Sequence, residues 1–96
     1  MDILVTYDVN TETKAGRNRL RKVATTCKDY GQRVQWSVFE CRVNDAQYEM
    51  FRAKLVNVID LKTDSIRFYR LPSPREKAVV SFGQDKYMDF DEPLII

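Results

Sequence analysis

Between Arg33 and Val43 the apolar residues alternate with polar ones, but in two different phases. Val34, Trp36 and Val38 keep one phase, and Phe39, Cys41 and Val43 keep the other. Side chains on a strand point to opposite faces in turn, so one unbroken pleat cannot bury both sets on one side. The segment therefore needs a bulge, or a break into two short strands, near Val38.

The remaining periodicities build around that sheet segment. Ile3 to Tyr7 is almost continuously apolar, the pattern of a central strand covered on both faces. It ends at Asp8, and Asn10-Thr11-Glu12-Thr13 supplies turn and helix-capping residues. A helix is expected from there to about Tyr30, with Leu20, Val23, Ala24 and Cys27 at helical spacing and Gly31 as its C′ residue. Asn44 followed by Gln47 has the form of a capping box, and Tyr48, Phe51, Leu55, Val58 and Ile59 form the buried stripe of a second helix. From Asp64 to Leu71 a strand places Ile66 and Phe68 on one face, with Arg67, Tyr69 and Leu71 on the other. Pro72-Ser73-Pro74 stops it, Arg75-Glu76-Lys77 is a polar connection, and Ala78 to Phe82 reads as a further strand ended by Gly83.

This order predicts an α+β domain, a ferredoxin-like βαββαβ sandwich with an extra C-terminal strand. Ninety-six residues, 44% of them apolar, suffice for one domain and not two. The domain is expected over residues 1–83. Residues 84–96 form an acidic tail with an apolar end, Leu94-Ile95-Ile96, expected to dock on a partner. With both helices on one side, the other sheet face lies bare, and a second copy of the chain is the simplest cover for Tyr69 and Leu71.

The chain contains no histidine. That excludes the usual zinc sites, Ser-His and Cys-His nucleophile pairs, and imidazole general bases. Cys27 and Cys41 form no C-x-x-C pair and are expected to be buried free thiols. Catalysis would have to run on carboxylates, a hydroxyl or a hard metal ion. Asp8, at the end of the first strand, either caps the following turn or ligates a cation such as Mg²⁺, which takes oxygen donors and keeps several waters. One carboxylate is a weak site, whereas two Asp8 side chains meeting across a dimer twofold would share the ion. A water on it could then serve as the nucleophile for phosphodiester cleavage.

Charge is distributed unevenly. From Lys14 to Arg33 there are seven basic side chains against Asp29 alone, a local balance of +6 in a chain whose overall net charge is +2. At 100° per residue, Lys14, Arg17, Arg21 and Lys28 form one row beside the apolar stripe of the helix, while Arg19 and Lys22 point elsewhere. Such a row is either a solvated face or a set of phosphate contacts, and it carries no base-reading signature. Ser37 and Phe39 lie beside the phase break, Ser37 without a base of the usual kind. Trp36 and Phe39 are core or interface aromatics, or else stacking platforms. Tyr7 is a packing residue with a polar tip.

Four motifs in order carry a resemblance. Tyr7-Asp8-Val9, Gly16-Arg17-x-Arg19-Leu20-Arg21-Lys22-Val23, Tyr30-Gly31-Gln32-Arg33-Val34-Gln35-x-Ser37-Val38-Phe39-Glu40-Cys41 and Asp64-Ser65-Ile66-Arg67-Phe68-Tyr69-Arg70-Leu71 are similar to the small CRISPR-associated adaptation protein family, over about residues 1 to 82. The resemblance implies a ferredoxin-like homodimer whose final strand extends the partner's sheet. Such a dimer bridges two dimers of the CRISPR integrase and holds DNA during spacer acquisition. It also implies Mg²⁺-dependent endonuclease activity on RNA or DNA, with Asp8 as metal ligand and catalytic residue. Arg17, Arg19 and Arg21 match its basic helix positions, and Ser37 with Phe39 its serine–phenylalanine pair; Lys14 and Lys28 join the nucleic-acid set from the helical row, and Arg33 from the basic block. The alternative is a stand-alone virulence-associated toxin endoribonuclease of the same fold. A generic RNA-binding module would carry an aromatic-rich strand motif that is missing here. The opening Met1-Asp2-Ile3-Leu4-Val5 lacks the basic region of a signal peptide, and no apolar run reaches membrane-span length, so a cytoplasmic location in a prokaryotic cell is expected, with no membrane partner.

Overall fold

The computed structural model describes residues 1–84 and residue 87. In chain order its elements are β1 (Asp2–Asp8), α1 (Lys14–Tyr30), β2 (Gly31–Gln35), β3 (Val38–Arg42), α2 (Asp45–Val58), β4 (Ser65–Leu71) and a one-turn helix, α3 (Arg75–Ala78). The four strands form one antiparallel sheet in the order β2-β3-β1-β4. Both long helices contribute to a single core on one sheet face, the ferredoxin-like arrangement.

The phase change is resolved by a break. Trp36 and Ser37 form the turn between β2 and β3, and the β2–β3 register slips between Arg33 and Gln35. Phe39, Cys41 and Val43 can then all be buried, while Val34 and Trp36 fall outside the core. On β1 the buried residues are Ile3, Val5 and Tyr7, paired with Cys41, Phe39 and the edge strand residues beyond. Val23 and Cys27 of α1 and Phe51 and Leu55 of α2 close the core from above. Phe51 stacks on Tyr30 at 4.5 Å and meets Phe68 edge-on at 5.7 Å. Burial of side chains of this size contributes roughly 1.5–3 kcal/mol each.

Local signals set the helix ends. The Thr13 hydroxyl accepts from Gly16 N at the start of α1. At α2 the Asn44 side chain accepts from Gln47 N and the Gln47 side chain accepts from Asn44 N, each at 2.8 Å, a complete capping box.

Three expectations are corrected. Leu4 and Thr6 are only half-buried, so β1 is central but not covered on both faces: the two long helices lie on one side. Gly31 is not a left-handed C′ residue; its φ of −166° is extended, and it opens β2. The glycine is required by close approach instead, because a Cβ there would stand 2.3 Å from Glu40 O and 2.5 Å from Cys41 Sγ. Ala78–Phe82 does not form a fifth strand in the single chain. Its first residue ends α3, Val80 and Phe82 are 77% and 93% exposed, and among the described residues no strand pairs with this segment. The proposed tail over 84–96 lies, apart from Gln84 and Tyr87, outside the described residues.

The uncovered sheet face carries Leu4, Thr6, Glu40, Arg42, Arg67, Tyr69 and Leu71, by the pleat and the register. Glu40 is buried there, and Arg75 closes over it with two hydrogen bonds of 2.7 and 2.9 Å. Among the described residues no helix is long and apolar enough to cross a membrane.

Candidate nucleic-acid interface

The basic row of α1 begins with Lys14, exposed at the helix start, and continues one turn on with Arg17, whose Nη1 donates to Thr11 O at 3.2 Å. Farther along, Arg17, Arg21 and Lys28 line one wall of a groove between α1 and the β2–β3 hairpin. Arg33, Trp36 and Ser37 form the opposite wall, Tyr7 closes the end, and Leu20 and Ala24 lie on the floor. The groove holds about 580 Å³, and among the described residues no carboxylate lines it. Lys14 stands outside it.

Pairing places Arg33 on the helix side of the sheet, opposite Phe39. Its guanidinium carbon sits 5.4 Å from the Trp36 ring centroid and 5.1 Å from that of Phe39, both within cation–π range. Arg33 Nε is buried without a hydrogen-bond partner among the described residues. Tyr7 fixes the turn from below: its hydroxyl donates to Trp36 O at 3.4 Å and its backbone N–H donates to Ser37 O at 3.2 Å. Burial pushes the Tyr7 phenol above its ordinary pKa, against the opposing pull of the nearby Arg33 guanidinium. Phe39 is fully buried and stacks on Tyr7 at 6.2 Å, so it is a core residue that supports the groove and cannot receive a base.

Arg19 faces away from the row, as its helical angle requires. Its Nε donates to Asp64 Oδ2 at 2.8 Å, and the Asp64 side chain is completely enclosed. Asp64 also accepts from the backbone N–H groups of Asn10 and Asp60, each at 2.9 Å, and from the Thr63 hydroxyl at 3.2 Å. These donors, with the Arg19 guanidinium foremost, hold its carboxyl well below the usual carboxylate range even though burial acts the other way. The cluster ties the loop after β1 to α1 and to the loop before β4.

Asp8 is exposed at the end of β1, opposite Ser65 of β4. The alternation that sends Tyr7 toward the helices assigns Asp8 to the uncovered sheet face, so carboxylate and basic groove lie on opposite sides of the sheet. Among the described residues no three His, Cys, Asp or Glu side chains are grouped to hold a metal ion. Cys27 and Cys41 are buried free thiols, pushed up to about 12 by burial, and are not nucleophiles at neutral pH.

Six of the expected residues thus meet in the groove: Tyr7, Arg17, Arg21, Lys28, Arg33 and Ser37. Asp8, Lys14, Arg19 and Phe39 do not. The sequence reading missed the exposure of Trp36, although its polar neighbours Gln35 and Ser37 at the phase break were the signal for a turn.

Residues 1–79 match the family model described as CRISPR associated protein Cas2. The chain belongs to this family. A Cas2 relative from Moorella thermoacetica, named a CRISPR-associated endoribonuclease, is 56% identical over 96 residues, with both chains fully covered. One from Halalkalibacterium halodurans, named a CRISPR-associated endonuclease, is 45% identical over 95 residues, covering 99% of each chain. Among solved structures, Streptococcus pyogenes Cas2 superposes with a TM-score of 0.78 at 58% identity, over 86% of this chain and all of that one. The Cas2 fold and the ferredoxin-like architecture therefore agree.

Proposed function

We propose that this Cas2 chain acts as a homodimer in CRISPR adaptation, bridging integrase dimers and holding DNA, and that it cleaves RNA or DNA through Asp8 with Mg²⁺. The reading rests most on the groove, in which Arg17, Arg21, Lys28 and Arg33 converge with no acidic side chain among the described lining residues, complementary to a phosphate backbone. The names of the relatives, endoribonuclease and endonuclease, support the hydrolytic part. They also favour a CRISPR role over a stand-alone toxin.

The uncovered sheet face supports the homodimer. Tyr69 is 42% exposed there beside Leu4 and Leu71, and Glu40 already has its counter-charge in Arg75, so a second copy would not strand that buried carboxylate. Asp8 belongs to that face. Two copies would bring two Asp8 carboxylates to one cation, which would supply a polarised water for attack on phosphorus. The protein side of the chemistry is then to fix the two carboxylates at the strand ends and to hold the backbone by its phosphates.

A cleavage and binding assay on labelled RNA and DNA, with and without Mg²⁺, tests this. Asp8→Asn is expected to abolish metal-dependent cleavage while leaving binding intact. Cleavage that persists in the variant removes Asp8 from the chemistry, and binding by the wild type without cleavage leaves only the architectural role.

A further inference from the structure

The groove does more than gather charge. Trp36 is 84% exposed, although an indole of that size ordinarily finds cover. It is not loose: the turn that carries it is pinned through both Tyr7 hydrogen bonds, and the Arg33 guanidinium occupies part of one ring face. The rest of the indole is open. It borders both the 580 Å³ groove and a second recess of about 540 Å³ beside Arg33 and Gln35. Leu20 and Ala24 give the groove an apolar floor, which phosphate contacts alone would not need.

An open aromatic face, an apolar floor and flanking cations match one chemical unit, a nucleotide whose base is free to leave its neighbours. We propose that the groove seats one unpaired nucleotide, its base stacked on the open face of Trp36 and its phosphates met by Arg21 and Lys28. Bases within a duplex are already stacked and paired, so the seat favours single strands, frayed ends or loops. Asp8 lies across the sheet, so this is a holding site and not the place of cleavage. The proposal rests on the nucleic-acid reading above and adds to it a position, a ligand unit and a preference for unpaired strands.

Trp36 is the chain's only tryptophan, so its emission reports on this seat directly. The full-length protein is titrated with oligothymidylate, oligouridylate, an abasic strand of equal length and a duplex of equal length. Emission and the anisotropy of a label on the strand are read together. Quenching by the base-bearing single strands is expected, with little by the abasic strand or the duplex. Trp36→Ala should weaken single-strand binding by about five- to 150-fold, the range for one base stack, and Trp36→Phe should restore most of it. Because Trp36 projects from the surface, both variants should keep the fold, which far-UV dichroism checks.

Equal quenching by the two base-bearing strands assigns the seat to base and phosphate, and a response to only one adds a contact to the sugar or to the thymine methyl; either supports the proposal. Binding by anisotropy without quenching, and unchanged in Trp36→Ala, overturns the stacking seat and leaves the nucleic-acid reading intact. No binding to any strand overturns both. Emission that changes on dilution of the protein alone, and not with any strand, overturns the seat in favour of a second copy covering Trp36.

Discussion

Asp64→Asn is expected to destabilise the domain strongly while leaving every groove residue in place. The substitution keeps the shape and exchanges one oxygen for an amide NH₂. In the wild type, Oδ1 accepts from Asn10 N and Oδ2 from Asp60 N, with Arg19 Nε on Oδ2 as well. An asparagine oxygen can serve one side only, so one backbone N–H faces another donor in an enclosed site. A buried group left unsatisfied costs about 1–3 kcal/mol. For a domain of this size each kcal/mol shifts Tm by about 4–8 °C, so a fall of roughly 5–20 °C is expected. The loss should also depend on pH. The folded carboxyl is held below its unfolded value of about 3.9, so its stabilisation is fully present above that value and is lost as pH falls through the folded one. The difference between wild type and variant should therefore be widest near neutrality and narrow in acid. Thermal melts followed by far-UV dichroism, at one fixed protomer concentration and from about pH 7 down to about pH 3, measure both effects. Equal Tm values, or a gap that does not narrow in acid, would refute the clamp.

Two further outcomes separate the arginines and test the packing. On a single strand, Arg21→Gln should flatten the slope of log affinity against log salt by about 0.7, whereas Arg19→Gln should leave the slope unchanged and lower Tm, as filter binding across a salt series and a melt will read. Gly31→Ala must push β3 at Glu40 and Cys41 away from position 31, an overpacking that typically costs about 1–3 kcal/mol and should appear as a lowered denaturation midpoint in urea.

The parts of this fold that were legible in the sequence are those written locally. The Asn44–Gln47 box is a four-residue code, and the phase change near Val38 is visible because the period of a strand is fixed. The helical angle that separates Arg19 from Arg17 and Arg21 is equally local, and the structure places Arg19 on Asp64 accordingly. What escaped depends on partners far along the chain. Asp64 meets groups 45 and 54 residues away, and no spacing rule announces such a cluster. Gly31 shows the converse: a glycine after a helix suggests a left-handed cap, but here the approach of β3 demands it. Ala78–Phe82 has strand composition, yet composition cannot supply an edge to pair with. The Glu40–Arg75 pair was missed for the same reason, since Arg75 reads as a polar linker until the sheet brings Glu40 beneath it.

The position of the lone indole has an optical consequence. In most small domains tryptophan emission follows unfolding, because the ring passes from core to water. Here the ring already stands in water while the chain is folded, and the core is built from Phe39, Phe51, Tyr7, the two cysteines and aliphatic residues instead. Fluorescence should therefore be nearly silent during denaturation, and the backbone signal nearly silent when the hairpin turn is occupied. One cuvette can then follow the two events on separate channels, and a urea titration run with and without bound strand would show which is lost first.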